Sequence, residues 1–347
     1  MSGPPDHPLR PVGWSDRVEA LFGPSAAGGF VPARVVGVAR GWCDVATPTG
    51  ERSLPVPGTA VGDWVALDGD ALREVLPRWS TLGRLDPDGG RQVLAANLDV
   101  VLIAAPSDRL SSARVERELV IAWDSGARPV VVITKADVAP PGAAADLIAR
   151  LGAVDVIATS AVDGDGLDEV RTLLVHPVTA AFLGPSGAGK STLINALLGE
   201  ERLAVADVRE DDRRGRHTTT SRQLVPLPSG GSLIDMPGLR SLGTDAGAEA
   251  VAAAFPEIDE LAGGCRFADC AHEVEPGCAV TAAVAAGGLD PARLASYCKL
   301  TRETAHEGRR RDPVARDQEV RVWKARTKAQ RRIYRERGRD RDGDQDR

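Results

Sequence analysis

The chain has 347 residues, 43% hydrophobic and 27% charged, enough for two or three domains with a sizeable buried core. That composition excludes a wholly disordered protein, and no apolar run reaches the roughly 18–20 residues that span a bilayer. The formal charge of −6 conceals a split: residues 309–347 carry 15 Lys/Arg against 8 Asp/Glu, net +7, and the preceding 308 carry 28 against 41, net −13. An acidic body with a basic tail admits a nucleic-acid partner that the net charge alone argues against. Met1–Arg10 is polar and Pro-rich and lacks the apolar centre of a secretory signal, so a cytoplasmic protein with no membrane partner is expected.

Residues 1–30, with Pro4, Pro5, Pro8, Pro11, Gly28 and Gly29, read as a flexible tail holding one short helix, Trp14–Phe22. Over 31–88, five β-prone runs (Arg34–Val38, Cys43–Ala46, Ser53–Val56, Asp63–Leu67, Leu72–Leu76) are split by Gly, Pro and Asp-Gly turns. That spacing predicts a small barrel of the OB-fold kind. Over 92–244 the rhythm changes. Apolar strands Val100–Ala105, Pro129–Ile133, Val154–Ala158 and Val178–Leu183 alternate with helical stretches Arg114–Ser125, Ala143–Leu151, Leu167–Leu174 and Ser191–Leu198. Alternation of this kind predicts an α/β domain with a parallel sheet covered on both faces. Residues 245–308 hold an Ala-rich helix, a cysteine cluster and a helix over 290–306, and 309–347 form a basic helix and tail.

Residues Gly184, Pro185, Ser186, Gly187, Ala188, Gly189, Lys190 and Ser191 fit GxxxxGK[ST] in full, with Thr192 next in the helix that follows. Glycines let backbone N–H groups turn inward around phosphate oxygens, and the helix N-terminus favours the anion. Lys190 is expected to reach the terminal phosphates and Ser191 to ligate Mg2+. Two further motifs choose between ATP and GTP. Asp235-Met-Pro-Gly238 follows the apolar strand Ser232–Ile234; its Asp can hold Mg2+ through water, and its Gly can report the γ-phosphate through a backbone N–H. Thr134-Lys135-Ala136-Asp137 follows Pro129–Ile133. A carboxylate at Asp137 can accept two hydrogen bonds from the guanine edge, for which adenine has no donors. The stem of Lys135 can cover the base, and Ser160 with Ala161, after the next strand, can cap it.

The guanine motifs here precede the phosphate loop, the reverse of the order in ordinary small GTPases. A circular permutation accounts for this, because joined and recut termini preserve the sheet and its site. On these motifs the chain resembles the circularly permuted GTPases, and within them the bacterial ribosome small subunit-dependent GTPase A family, over roughly residues 31–306. The resemblance implies an OB barrel, a permuted GTPase domain and a zinc domain. It also implies a cytoplasmic monomer that binds the small ribosomal subunit and its 16S rRNA, hydrolyses GTP to GDP and phosphate, and checks late subunit maturation. Residues 215–220 resemble the family's switch I, so Thr218 or Thr219 is expected to complete the Mg2+ shell. His217 is expected to position the attacking water, since Leu239 replaces the Gln that many small GTPases use. Thr134 departs from the family's usual Asn, which braces neighbouring loops. Two rival readings remain. One is a GTP-gated switch acting on another RNA or ribonucleoprotein. The other is an ATPase or kinase, which Lys135 and Asp137 oppose.

Cys265-x4-Cys270-x-His272-x5-Cys278 offers three thiolates and an imidazole, a closed set suited to one structural Zn2+ and to no catalytic role. The family's zinc motif has the same pattern. Cys298 is a weaker candidate ligand, and Cys43 reads as a buried thiol. For RNA, the barrel segment offers Arg34, Arg40, Arg52, Arg73, Arg78 and Arg84 with Trp42, Trp64 and Trp79, each Trp being a candidate for the core or for base stacking. Residues 321–341 set ten Lys/Arg against two acids, interleaved with Trp323 and Tyr334, and suit an rRNA-contacting helix.

Overall fold

The computed structural model describes residues 6–311, apart from 40, 56–57, 86–89, 141, 152–153, 202–221 and 237–245. The N-terminal stretch packs instead of trailing as a tail. A 3-10 turn at Arg10–Val12 leads into α1 (Asp16–Ala27). Leu9, Val12, Trp14, Val18 and Phe22 are all buried. Trp14 meets Phe22 and Trp64 edge-on at 6.0 and 5.5 Å between ring centroids. Pro11, one of the prolines that suggested a tail, fixes φ inside this turn.

Strands β1 (Val31–Ala39), β2 (Trp42–Thr47), β3 (Gly50–Leu54), β4 (Trp64–Asp68) and β5 (Ala71–Val75) pair antiparallel as β1–β2, β2–β3, β1–β4 and β4–β5. Alternate side chains, among them Ala33, Val35, Val45, Val65 and Leu67, meet in a small apolar cluster. Strands β6 (Thr81–Leu85) and β7 (Arg91–Ala96) form a separate hairpin that the sequence pattern does not announce.

The chain continues through β8 (Val100–Pro106), α2 (Ser112–Ser125), β9 (Arg128–Thr134), α3 (Ala143–Leu151), β10 (Val156–Ala158), α4 (Leu167–Leu173), β11 (Thr179–Leu183), α5 (Lys190–Leu198), β12 (Arg222–Pro226) and β13 (Ser232–Asp235). The sheet order is β10-β9-β8-β11-β13-β12-β1-β2-β3. Side chains of β8 alternate cleanly between faces. Val101, Ile103 and Ala105 join the core under α2, with Val115 and Leu119. Val100, Leu102 and Ala104 join the opposite core with Leu167, Val170, Leu193 and Leu197 of α4 and α5.

The expected all-parallel sheet is mixed. The run β10-β9-β8-β11-β13 is parallel, but β12 lies antiparallel to β13. The link 227–231 is too short for a crossover, so these two strands can pair only as a hairpin. β12 in turn pairs antiparallel with β1 through Gly37↔Gln223 and Val38↔Arg222, joining the two strand systems into one sheet.

Four helices follow: α6 (Ala248–Ala254), α7 (Pro256–Ala262), α8 (Ala279–Ala285) and α9 (Pro291–Arg311). A buried charge cluster ties them to α2 and α3. Glu116, fully buried, accepts from Arg150 at 2.7 Å and from Arg293 at 3.2 Å. Arg293 also donates to Glu257 at 2.6 Å and stacks 4.2 Å over Phe255. Among the described residues no helix is long and apolar enough to cross a membrane.

Candidate nucleotide site and metal centre

Five parallel strands put their carboxyl ends on one edge of the sheet. From β8 the chain moves outward to β9 and β10, and from β11 it moves the other way to β13. That reversal opens a crevice between β8 and β11, the place where open α/β sheets take ligands. The phosphate loop leaves β11 there, 134–137 closes β9, 158–161 closes β10, and Asp235 ends β13.

Three glycines of the loop, Gly184, Gly187 and Gly189, take positive φ. Gly184 has φ +137°, and a Cβ there would lie 2.6 Å from the Ala104 carbonyl of β8. Gly189, at φ +83°, opens α5. Lys190 Nζ folds back to donate to the Gly184 and Pro185 carbonyls, both at 2.7 Å. Burial lowers the pKa of Lys190, opposed by the carboxylates of Glu118 and Asp235. Burial raises that of Asp235, opposed by Lys190. Ser191 and Thr192 lie half-buried in the first turn of α5.

The guanine motif is tied to this loop. Thr134 Oγ1 donates to the Ala188 carbonyl at 2.6 Å, so the threonine braces the end of β9 against the phosphate loop. Lys135 adopts φ +58°, and its Nζ pairs with Asp108 at 2.9 Å. A 3-10 turn at Ser107–Arg109, after β8, completes the bridge. The Ser107 hydroxyl donates to the Lys135 carbonyl, and Arg109 Nη2 donates to the Ser186 carbonyl at 2.8 Å. Sequence reasoning missed these three residues. Their signal was position alone, at the carboxyl end of an apolar strand. The Asp137 carboxylate is exposed, Ser160 is buried and bonds Asp163, and Ala161 is half-buried. The Ala136 N–H donates to the Thr159 carbonyl at 2.9 Å, which joins 134–137 to 158–161. His217, Thr218, Thr219, Gly238 and Leu239 lie outside the described residues.

The metal cluster sits between α7 and the start of α8. Ligand atoms of Cys265, Cys270, His272 and Cys278 all lie within 4.8 Å of one another. The measured edges are 3.8 Å for Cys265 to Cys278, 3.6 Å for Cys265 to His272 Nδ1, and 3.4 Å for His272 Nδ1 to Cys278. A tetrahedron built on Zn–S of about 2.3 Å and Zn–N of about 2.0–2.1 Å has edges of about 3.8 and 3.5 Å. The donor set and its dimensions therefore fit a zinc ion. His272 reaches the cluster from φ +59°, and its ring lies 6.0 Å from that of Tyr297 on α9. Cys278 caps α8 by accepting from the Thr281 N–H at 3.4 Å. Burial opposes its ionisation, but hydrogen bonds from Thr281, His272 and Cys270 outweigh it and bring the thiol down to about 6. Cys298 stands apart, with its Sγ against the Ala271 carbonyl. Cys43 is buried beside Thr59.

Comparison with known proteins matches the family model of the RsgA GTPase to residues 75–245. The small ribosomal subunit biogenesis GTPase RsgA of Streptomyces coelicolor is 44% identical over 339 residues, covering 92% of each chain. This chain belongs to the RsgA GTPase family. Its activity is GTP hydrolysis, a chemistry that in general takes Mg2+ with GTP. RsgA 2 of Lactiplantibacillus plantarum is likewise 44% identical over 307 residues, covering 81% of this chain and 85% of that one. Two solved structures share the fold, each at 24% identity and over 80% of this chain. YjeQ from Thermotoga maritima has a TM-score of 0.60 over 99% of its length. YloQ, described as a circularly permuted GTPase, has 0.58 over 96%. The reversed motif order is thus that of a circularly permuted GTPase of the RsgA family.

Within this RsgA-family chain, some residues expected to face RNA do other work. Arg34 is 1% exposed, donates to the Val12 and Gly62 carbonyls, and stacks 4.9 Å over Trp64, itself core. Burial brings its pKa down to about 10, opposed by Asp99 and Asp63. Arg78 holds the buried Asp63 at 2.6 Å, whereas Arg52 and Arg73 stay at the surface, paired with the exposed Asp70 and Asp68. Trp42 remains at the surface, 55% exposed. Arg40 and residues 312–347 lie outside the described residues.

Proposed function

We propose that this chain binds GTP·Mg2+ at the β8/β11 crevice and hydrolyses it during biogenesis of the small ribosomal subunit, as a late maturation checkpoint. The single observation that carries the reading is the bridge from Lys135 through Ser107–Arg109 to Ser186, which couples a base-reading motif to a phosphate loop at one sheet edge. The bound nucleotide uses Thr134, Lys135, Asp137, Ser160 and Ala161 around guanine, and 184–192 around the phosphates. Ser191 and a switch I threonine, Thr218 or Thr219, hold Mg2+, with Asp235 acting through water. Gly238 reports the γ-phosphate, and His217 positions the attacking water. Cys265, Cys270, His272 and Cys278 hold one structural Zn2+.

The antiparallel pairing of β1–β5 supports an OB-fold RNA-binding domain over 31–88. The permuted GTPase domain spans 92–244, the zinc-binding domain 245–308 and the basic segment 309–347, and residues 6–30 pack ahead of the barrel through Leu9, Val12, Trp14, Val18 and Phe22. The protein acts as a cytoplasmic monomer, and its RNA partner is 16S rRNA in the small subunit. The test is GTP turnover with and without purified small subunits. Strong stimulation by the subunit is expected. Stimulation only by another RNA would overturn the ribosomal assignment.

A further inference from the structure

Behind the phosphate loop lies a cavity of about 200 Å3, whose lining includes Ala105, Pro106, Arg109, Val115, Glu118 and Pro185. Polar and apolar groups share its lining about equally, Ser111 and Arg114 among them, and α2 sends the Glu118 carboxylate into it. Glu118 stands between Val115 and Leu119, both buried, and its Oε2 is itself buried with no hydrogen-bond partner. A buried carboxylate oxygen without a partner is costly, so its charge acts strongly on whatever lies close. The opposite wall is the loop itself. Pro185 lines the cavity, and its carbonyl accepts from Lys190 Nζ at 2.7 Å. Lys190 thus bonds a peptide that lines the cavity holding Glu118, and the two charges act on each other.

We propose that Glu118 is a positioning residue that sets the nucleotide affinity of the phosphate loop: from the cavity behind the loop its carboxylate competes with the nucleotide's phosphates for Lys190 and opposes their charge. The proposal rests on placing the nucleotide at 184–191. Lys190 must leave the Gly184 and Pro185 carbonyls to meet a phosphate, and a negative Glu118 resists that move. The charged groups that bear on Glu118 are Arg114 on its own helix, Arg109 across the cavity and Lys190 on α5, with Asp235 at the end of β13 acting on the same lysine.

The sign of the pH dependence follows. Burial raises the pKa of Glu118 to about 7, against the pull of Arg114 and Lys190. A bound polyphosphate adds negative charge and draws Lys190 away, so it raises that pKa further. Nucleotide binding therefore takes up a proton at Glu118, and affinity falls as pH rises through neutrality.

The experiment measures GDP and non-hydrolysable GTP-analogue binding by calorimetry from pH 6 to pH 8, in buffers of different ionisation enthalpy. The proteins are the full-length wild type, Glu118→Gln, Glu118→Met and Lys190→Ala, with thermal unfolding recorded for each. Proton release and uptake by the nucleotide itself is common to all. Glu118→Gln is expected to bind about three- to tenfold tighter at pH 8 and to lose the protein's share of proton uptake. Glu118→Met is expected to do the same if Gln alters the loop. Equal affinity and equal proton uptake in wild type and both Glu118 variants would overturn the proposal, provided Lys190→Ala abolishes binding. Wild-type affinity in Lys190→Ala would instead overturn the placement of the nucleotide at this loop, and the role of Glu118 with it.

Discussion

At the carboxyl edge of the sheet, residues drawn from separate segments between Ser107 and Ala188 meet through hydrogen bonds and an ion pair made by protein atoms alone. In the cysteine knuckle, four side chains from 14 consecutive residues crowd within 4.8 Å of one another, a packing that only a metal ion makes strongly favourable. The first site is a product of the sheet: five parallel strands fix where its loops begin, and backbone carbonyls of 184–188 accept bonds that hold them together. The second has little apolar core of its own and leans on Phe255 and Tyr297 for support. The nucleotide edge should therefore keep its shape when empty, and the knuckle should not.

Removing the metal separates the two most sharply. Chelation, or Cys278→Ser, is expected to unfold the knuckle locally, a loss on the order of 10 kcal/mol for a structural zinc site, while GDP binding persists. Limited proteolysis and metal content read the first effect, and calorimetry the second. Protection of 265–278 that survives full loss of metal would break the contrast.

The junction between the two regions comes next. Glu116→Ala leaves Arg293 and Arg150 facing a buried site without their shared carboxylate, and is expected to cost about 3–5 kcal/mol. A urea midpoint within error of wild type would show that the helices 248–311 do not depend on α2. The smallest change lies inside the nucleotide edge. Thr134→Val removes the bond to the Ala188 carbonyl at constant volume and is expected to cost about 1 kcal/mol, or roughly fivefold in GTP affinity. Unchanged affinity would mean that Ser107–Arg109 alone suffices to hold the loop.

What could be read in advance follows the same division. The phosphate loop, the guanine motif and the Cys3His set are contiguous, and their chemistry fixes residue type at each place, so 184–191, 134–137 and 265–278 stand out in the sequence. Asp108, Arg109 and Glu118 do not, because each matters only through a partner 27 to 77 positions away or through a cavity. β12 was missed because Arg-Gln-Leu-Val-Pro is short and half polar. Its role as the seam between β13 and β1 exists only in the assembled sheet. The packing of Leu9–Phe22 was hidden by prolines that signal a turn as readily as a tail. Arg34 looked like an RNA contact because no local pattern shows that its guanidinium is enclosed by the Val12 and Gly62 carbonyls.

If the permuted chain reads guanine through Asp137 beside the phosphate loop, Asp137→Asn, assayed with GTP and XTP in parallel, should exchange one base for the other. An Asn amide can donate to the xanthine 2-oxygen where the carboxylate accepted from the guanine 2-amino group. GTP turnover is expected to fall by at least about a hundredfold while XTP turnover rises past it. A variant that still prefers GTP would contradict guanine reading by Asp137.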